Sequence, residues 1–355
     1  MVTIKDVAQK AGVSVSTVSN VLNHKGKANK VTEQLVFDTI KELGYVPNLM
    51  AKGLKSSKSN IIGVLVENIN SILTGSILDG ICEYAESNGY IINLCNLGVN
   101  RIVSSPDDSR YLAMEDSPAF QKAVQDALKT LTAAHICGLI YLSTYPRNIS
   151  PMLSSLMVPL VYSYCYTENP DNYYVCSDDF QGAKMATEYL IAKGHTKIGI
   201  ISGSINSYPT HQRMLGYQTA LMEHHLPFLP EYIRTGHWKY EDGYQQGLQL
   251  MKLENPPTAI FSMSDVMAYG AMNAIRSLKK DIPSDVSIIG FDNLQMSSYS
   301  WPALTTVHLP LKEIGTSSAR LINDLLNKTS QPPHATHLQC KLIERDSVAV
   351  LSQTN

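Results

Sequence analysis

The chain has 355 residues, 44% of them hydrophobic and 17% charged, which excludes a disordered protein and suits a small module followed by a large bilobal domain. Its six cysteines are scattered with no Cys-x-x-Cys, so reduced and mostly buried thiols are expected rather than disulfides or a metal centre. Net charge is -2 but unevenly spread: up to Ser59 nine lysines face four carboxylates, giving +5 and leaving -7 for the remainder. A basic head on an acidic body is either a phosphate-binding module or a chance cluster of solvated lysines. The apolar run at 61–66 is too short to span a bilayer, and Lys5, Asp6, Gln9 and Lys10 interrupt any secretory core, so a cytoplasmic protein without membrane contact is expected.

Thr3 followed by Asp6 forms a capping-box pattern that opens a helix through Ala11, with Ile4, Val7, Ala8 and Ala11 on its apolar face. Gly12 stops it, and Ser14 caps a second helix to about Leu22 whose apolar positions are Val15, Val18, Val21 and Leu22. A third helix runs from Thr32, its predicted N-cap, to Leu43, with Leu35, Val36, Thr39, Ile40 and Leu43 inward and Gly44 as its stop. Three short helices with a tight glycine turn between the first two describe a helix-turn-helix. The exposed face of the second carries Ser16, Thr17, Ser19, Asn20 and, just beyond, Asn23. Small polar side chains there either meet base edges in a major groove or form a solvated surface.

Pro47 breaks the chain, and Asn48 can cap a short helix over 49–55 ahead of Ser56-Ser-Lys-Ser59. Gly53 and a length of seven residues make that helix unstable alone, so the segment is either a hinge that folds against a partner or a serine-rich linker.

From Asn60 strands and helices alternate. Strands are predicted at 61–66, 90–94, 138–142, 158–164, 197–201, 259–263 and 286–291, and helices at 72–87, 119–134, 179–193, 212–225, 242–253 and 265–279. Residues 98–118 lack periodicity and read as a loop insertion. Buried parallel strands with helical crossovers give doubly wound sheets, and this many units need two lobes. No Gly-x-Gly-x-x-Gly, no phosphate-binding loop and no Gly-x-Ser-x-Gly elbow is present, so neither an enzyme nor a cofactor is expected. His224-His225 and His334-Ala-Thr-His337 lack the cysteine or carboxylate spacing of a metal site.

The run Ile4-Lys-Asp-Val-Ala-Gln-Lys-Ala-Gly-Val-Ser-Val-Ser-Thr-Val-Ser19, with Val21-Leu-Asn23 and Ile40-Lys-Glu-Leu-Gly-Tyr-Val-Pro-Asn48, resembles the headpiece of the lactose-repressor/galactose-repressor family. The body resembles the same family at Ile61-Ile-Gly-Val64, Ser177-Asp-Asp-Phe-Gln-Gly182, Gly194-His-Thr-Lys-Ile-Gly199, Arg213-Met-Leu-Gly-Tyr217, Thr258-Ala-Ile-Phe261, Ser264-Asp-Val-Met-Ala268, Ile289-Gly-Phe-Asp-Asn293 and Leu304-Thr-Thr-Val307. The resemblance spans almost the whole chain. It implies an all-α helix-turn-helix headpiece (1–46), a hinge helix and linker (47–59), and a two-lobed α/β periplasmic-binding-protein-like domain (60–355). One lobe is expected at about 60–166 plus 296–326, the other at about 167–295 plus 327–355.

By that resemblance the protein is a homodimeric repressor on a pseudo-palindromic operator. The implied DNA contacts are Thr3, Ser14, Val15, Ser16, Thr17, Ser19, Asn20, Asn23, Leu54 and Lys55. Leu54 takes the place of a leucine wedged between base pairs, which kinks the duplex. Asn20 stands where many relatives carry Arg; being shorter, it cannot make the bidentate guanine pair, so a different operator preference is expected.

The resemblance also implies a small-molecule effector, a sugar or sugar acid, between the lobes at the carboxyl ends of strands. Its implied contacts are Ser71, Leu73, Tyr164, Arg213, Trp238, Ser264, Asp265 and Asp292, and the implied biology is carbohydrate metabolism. Taken singly, Asp292 reads equally as the cap of a turn, Arg213 as a partner of Asp265, and Trp238 as a core residue. Ser71-Ile-Leu73 replaces a common Asn-Pro-Phe, and Tyr164 replaces a common aspartate, so the cleft differs from that of a familiar sugar repressor. A protein corepressor in place of a cleft ligand, and a transport-type binding protein, are the alternative readings.

Overall fold

A computed structural model describes residues 2–22, 28–45, 59–102, 114, 117–149, 153, 156–328 and 331–351. The chain divides into two units, 1–59 and 60–355. The hinge prediction over 47–58, Asn23 and most of the predicted loop insertion lie outside the described residues.

The first unit holds α1 (Ile4–Lys10), α2 (Val15–Leu22) and α3 (Lys30–Leu43). The Thr3 amide and hydroxyl both donate to the Asp6 carboxylate at 2.7 Å, and Gly12 turns the chain with φ +64°. Ser14 Oγ accepts from Thr17 N at 3.0 Å and so caps α2. Asn29, not Thr32, caps α3: its side chain accepts from Thr32 N at 2.8 Å, so the helix starts earlier than the periodicity indicates. Val7, Ala8, Ala11, Val18, Val21 and Val36 form the small core. Leu35 is 48% exposed and not inward as predicted, because it lies about 100° of helix rotation from Val36, on the flank of the stripe that Thr39, Ile40 and Leu43 continue.

The second unit contains two six-stranded sheets. The first has the order β11-β5-β4-β3-β1-β2, from β1 (Ile61–Val66), β2 (Ile91–Asn96), β3 (Gly138–Leu142), β4 (Leu160–Ser163), β5 (Tyr173–Ser177) and β11 (Ala335–Leu338), all parallel. The second has the order β12-β10-β9-β8-β6-β7, from β6 (Ile198–Ser202), β7 (Ile233–Thr235), β8 (Ala259–Ser262), β9 (Ser287–Asp292), β10 (Thr305–His308) and β12 (Lys341–Ile343). Only β12 runs antiparallel there. Strands β3, β6, β8 and β9 are buried along their whole length, which is why they read as unbroken apolar runs.

Helices α4 (Thr74–Ser87), α5 (Pro118–Ala133) and α10 (Leu311–Asn327) belong to the first lobe; α6 (Asp179–Ala192), α7 (Tyr208–Glu223), α8 (Tyr240–Met251) and α9 (Asp265–Ser277) belong to the second. The chain crosses between sheets at 177–198, 308–335 and 338–341 in a different pattern from that predicted. Strands β5 and β11 complete the first sheet and β10 lies in the second, where boundaries at 166/167, 295/296 and 326/327 assign each to the opposite lobe. Strand pairing sets the crossing points: β5 pairs with β4, and β10 with β9, before the chain leaves its lobe.

All six cysteines are free, with Cys165, Cys176 and Cys340 buried. Among the described residues, no helix is long and apolar enough to cross a membrane.

Candidate DNA-binding face and effector cleft

On α2, Ser16 is exposed and Thr17, Ser19 and Asn20 are half-exposed, while Val18 and Val21 are buried on the opposite side. Val15 leans on the headpiece core and is only partly available. The hydroxyls of Ser14, Ser16 and Thr17 gather at the helix start, with Ser14 Oγ 2.7 Å from Ser16 Oγ and 2.8 Å from Thr17 Oγ1. Thr3 is held by Asp6, and Lys10 is tied to Glu42 of α3. Asn23, Leu54 and Lys55 lie outside the described residues.

In the second unit, loops at the carboxyl ends of strands from both sheets enclose a cavity of about 350 Å³. The first lobe supplies Ser71, Ile72 and Leu73 after β1, Tyr145 after β3 and Tyr164 after β4. The second supplies Ser204, Ile205, Asn206, Ser207 and Pro209 after β6, Arg213 on α7, and Thr235, His237 and Trp238 at and after β7. Ser264 and Val266 follow β8, and Asp292 ends β9. Seven of the eight predicted effector residues therefore line one space. Tyr164, Trp238 and Asp292 have φ of +56°, +65° and +122°, a conformation that side chains with a Cβ adopt at a cost and that tends to mark ligand sites.

Asp265 does not reach the cavity. It is fully buried and accepts from Leu294 N at 2.8 Å, Ser297 Oγ at 2.6 Å and Thr306 Oγ1 at 2.5 Å. Neighbouring residues at a helix start point different ways: Ser264 caps α9 and faces the cleft, whereas Asp265 is turned inward to pin the chain after Asp292. Burial pushes its carboxyl up to about 6, against the three hydrogen bonds.

Arg213 pairs with a residue that the sequence reading missed. Its Nε and Nη2 hold Asp179 Oδ1 at 2.7 and 2.6 Å, and its Nη1 donates to the Met263 carbonyl and lies 3.8 Å from Asp292. Asp179 also accepts from Ser177 Oγ at 2.8 Å. An acidic residue in the first turn of a helix is so common that Asp179 carried no signal. Burial raises the Asp292 carboxyl well above its ordinary range; Arg213 pulls it down and Asp265 pushes it up. Tyr164 is likewise raised by burial. Trp238 packs on the backbone of Gly203, where an added Cβ would lie 1.9 Å from the indole, so only glycine admits the ring there.

Among the described residues no three His, Cys, Asp or Glu side chains gather as metal ligands. His334 stacks on Tyr173 with centroids 4.4 Å apart, and His337 meets the edge of Tyr174.

A helix-turn-helix in one chain with a bilobal binding domain defines a DNA-binding transcription regulator. Residues 3–48 match the family described as bacterial regulatory proteins, lacI family, and residues 187–348 match the periplasmic binding protein-like domain. The chain is 33% identical over 352 residues to the HTH-type transcriptional repressor PurR of Yersinia pestis (strain Pestoides F), covering 98% of this chain and 97% of that protein. It is 30% identical over 356 residues to the PurR of Actinobacillus pleuropneumoniae serotype 3 (strain JL03), covering 99% of this chain and 100% of that protein. The Lac repressor dimer bound to operator and the anti-inducer ONPF superposes with a TM-score of 0.80 at 26% identity, over 98% of this chain and 99% of that one. The transcriptional regulator CelR in complex with cellobiose superposes at 0.66 with 25% identity, over 98% of this chain and 100% of that one. The chain belongs to the LacI family and is a DNA-binding transcriptional repressor of that family.

Proposed function

We propose that this repressor acts in the cytoplasm as a homodimer on a pseudo-palindromic operator, and that a sugar or sugar acid in the interlobe cleft sets its operator affinity. The observation that carries the effector reading is the convergence of Ser71, Leu73 and Tyr164 from one lobe with Arg213, Trp238, Ser264 and Asp292 from the other. A molecule touching both walls binds some lobe angles better than others, and such a differential is what shifts a conformational equilibrium. Ser16, Thr17, Ser19 and Asn20 supply base contacts in this reading, the lysines supply salt-dependent affinity, and Leu54 with Lys55 supplies the minor-groove hinge.

The dimer is supported by the exposed apolar side chains Met296, Tyr299 and Trp301, at 58%, 70% and 83% exposure, on the segment just after Asp292. Two-fold symmetry of the protein is matched by two-fold symmetry of the site.

Selection of bound duplexes from a random library, followed by retardation with and without sugars and sugar acids, tests the whole reading. The expected outcome is a palindromic consensus whose affinity changes on adding one ligand class. A palindrome with no response to any of them would point to a protein corepressor, and no sequence preference would remove the operator role.

A further inference from the structure

Three chain crossings join the two lobes, and two of them are bonded to each other. The Asp178 amide donates to the Leu338 carbonyl at 2.9 Å, Gln339 Nε2 donates to Asp178 Oδ2 at 3.2 Å, and Cys340 Sγ donates to the Asp178 carbonyl at 3.4 Å. These paired connectors make a pivot beside β5 and β11. A pivot fixes where two bodies turn; the angle at which they rest is set by side chains that touch across it.

One such contact is built from two tyrosines. Tyr166, which follows β4 in the first lobe, and Tyr208, the first residue of α7 in the second, place their ring centroids 4.4 Å apart at 43°. Both are half-buried. Burial pushes the Tyr208 phenol up to about 12, and Tyr166, Cys176 and Asp179 lie close enough to push the same way, which sets the pair beside the connector at 177–179. Among the described residues, neither ring lines the cavity but their neighbours do: Tyr164 on one side, Ser207 and Pro209 on the other.

Each ring is mounted firmly on its own lobe. Tyr166 N donates to the Arg147 carbonyl at 3.0 Å, and Ile149 N donates to the Tyr166 carbonyl at 2.9 Å. The Tyr166 ring also meets that of Tyr174 on β5 at 6.4 Å, and Tyr174 Oη lies 3.3 Å from His337 Nε2 of β11. Tyr208 opens α7, which the Arg213–Asp179 pair fastens to α6. Neither mount swings alone, so a change of lobe angle slides one ring against the other. Contacts within a lobe are indifferent to that motion.

We propose that Tyr166 and Tyr208 form an interlobe clasp that sets the resting angle of the cleft, which makes them positioning residues for the effector response and not contacts of the effector. Its consequence for DNA rests on the reading that lobe angle governs operator affinity. An aromatic pair biases a two-state equilibrium by about two- to tenfold.

Fluorophores carried as non-natural amino acids at the exposed positions Glu86 of the first lobe and Glu254 of the second read the interlobe distance in the full-length protein by single-molecule energy transfer. Retardation on the selected duplex reads operator affinity. Tyr208→Ala is expected to shift both the distance distribution and the affinity by about twofold or more, whereas Tyr208→Phe, which keeps the ring, leaves both unchanged. Tyr208→Leu, which keeps apolar bulk at the helix start, repeats the alanine result if the alanine variant melts too early to assay. Tyr166→Ala also shifts the distribution, and adding Tyr208→Ala to it moves the distribution less than the two single effects combined, as for residues in contact. A lowered melting temperature with an unmoved distance distribution, or single effects that simply add, overturns the clasp. A distance shift with no change in operator affinity upholds the clasp and removes instead the reading that lobe angle governs the operator.

Discussion

Each lobe buries one arginine, beside one carboxylate in the first lobe and two in the second, and the two clusters are built differently. In the first lobe Glu67, fully buried at the end of β1, accepts from Arg147 Nη1 at 2.5 Å, Tyr141 Oη at 2.6 Å, Thr144 N at 2.9 Å and Ser143 Oγ at 3.0 Å. Among the described residues Arg147 is paired with Glu67, and the cluster ties down the turn that carries Tyr145 to the cleft. In the second lobe Arg213 holds Asp179 at 2.6 Å and lies 3.8 Å from Asp292, whose carboxyl burial raises and which lines the cavity. The first cluster holds a loop; the second places one of its carboxyls on the cavity.

The largest effect that separates them is expected at Arg147→Met, which breaks the buried ion pair with Glu67 and costs about 3–5 kcal/mol. Urea denaturation reads this, and Glu67→Gln added to Arg147→Met recovers most of the loss. A single-variant cost below 1 kcal/mol would mean that the first cluster is not what holds its loop.

Acid titration sharpens the other side. The Asp265 carboxyl is raised to about 6 by burial, so the folded chain takes up its proton at higher pH than the unfolded chain, whose carboxyl stays near 3.8. Its contribution to stability is therefore lowest above pH 6 and grows as pH falls towards 4, by on the order of 3 kcal/mol. Denaturation at pH 7 and pH 4.5 checks this against Asp265→Asn, in which that gain disappears.

Asp292→Asn replaces a carboxyl whose charged form burial disfavours, so it is expected to leave thermal stability at pH 7 unchanged or higher, the reverse of Arg147→Met. The ligand-driven change in operator affinity, typically 5–150-fold in coupled systems, collapses in the same variant. Operator retardation with and without the responding ligand measures it. The smallest effect falls outside both lobes. Ser14→Ala removes the α2 cap and costs the headpiece about 1 kcal/mol, read as weaker operator binding with no change in the melting of the body.

Much of this architecture was legible in the sequence where a segment's own residues decide its state. The strands Ile61–Val66 and Gly138–Leu142 were predicted to the residue because both faces are buried. Strands β5, β7, β10, β11 and β12 lie outside the predicted set because three to five residues such as Lys341–Ile343 carry too little pattern. Helix α10 carries a clear stripe in Leu311, Ile314, Leu321 and Ile322, although it lies outside the predicted helices. The strand exchange could not be read locally, since β10 joins the second sheet only through its pairing with β9. In the cleft, Arg213, Trp238 and Asp292 were found by resemblance, whereas Asp179 and the inward turn of Asp265 follow from which way two adjacent side chains leave a helix start.

The exchange of strands has a consequence for how the molecule is made. The first sheet receives its last strand only at residues 335–338, and α10, which packs on β3, β4 and β5, lies at Leu311–Asn327. A nascent chain therefore emerges with the first lobe unfinished, its β5 edge open and available to other chains until residue 338 has left the ribosome. Neither lobe can be produced from a single uninterrupted stretch of gene, and a protease that severs one connector leaves two others holding the halves together.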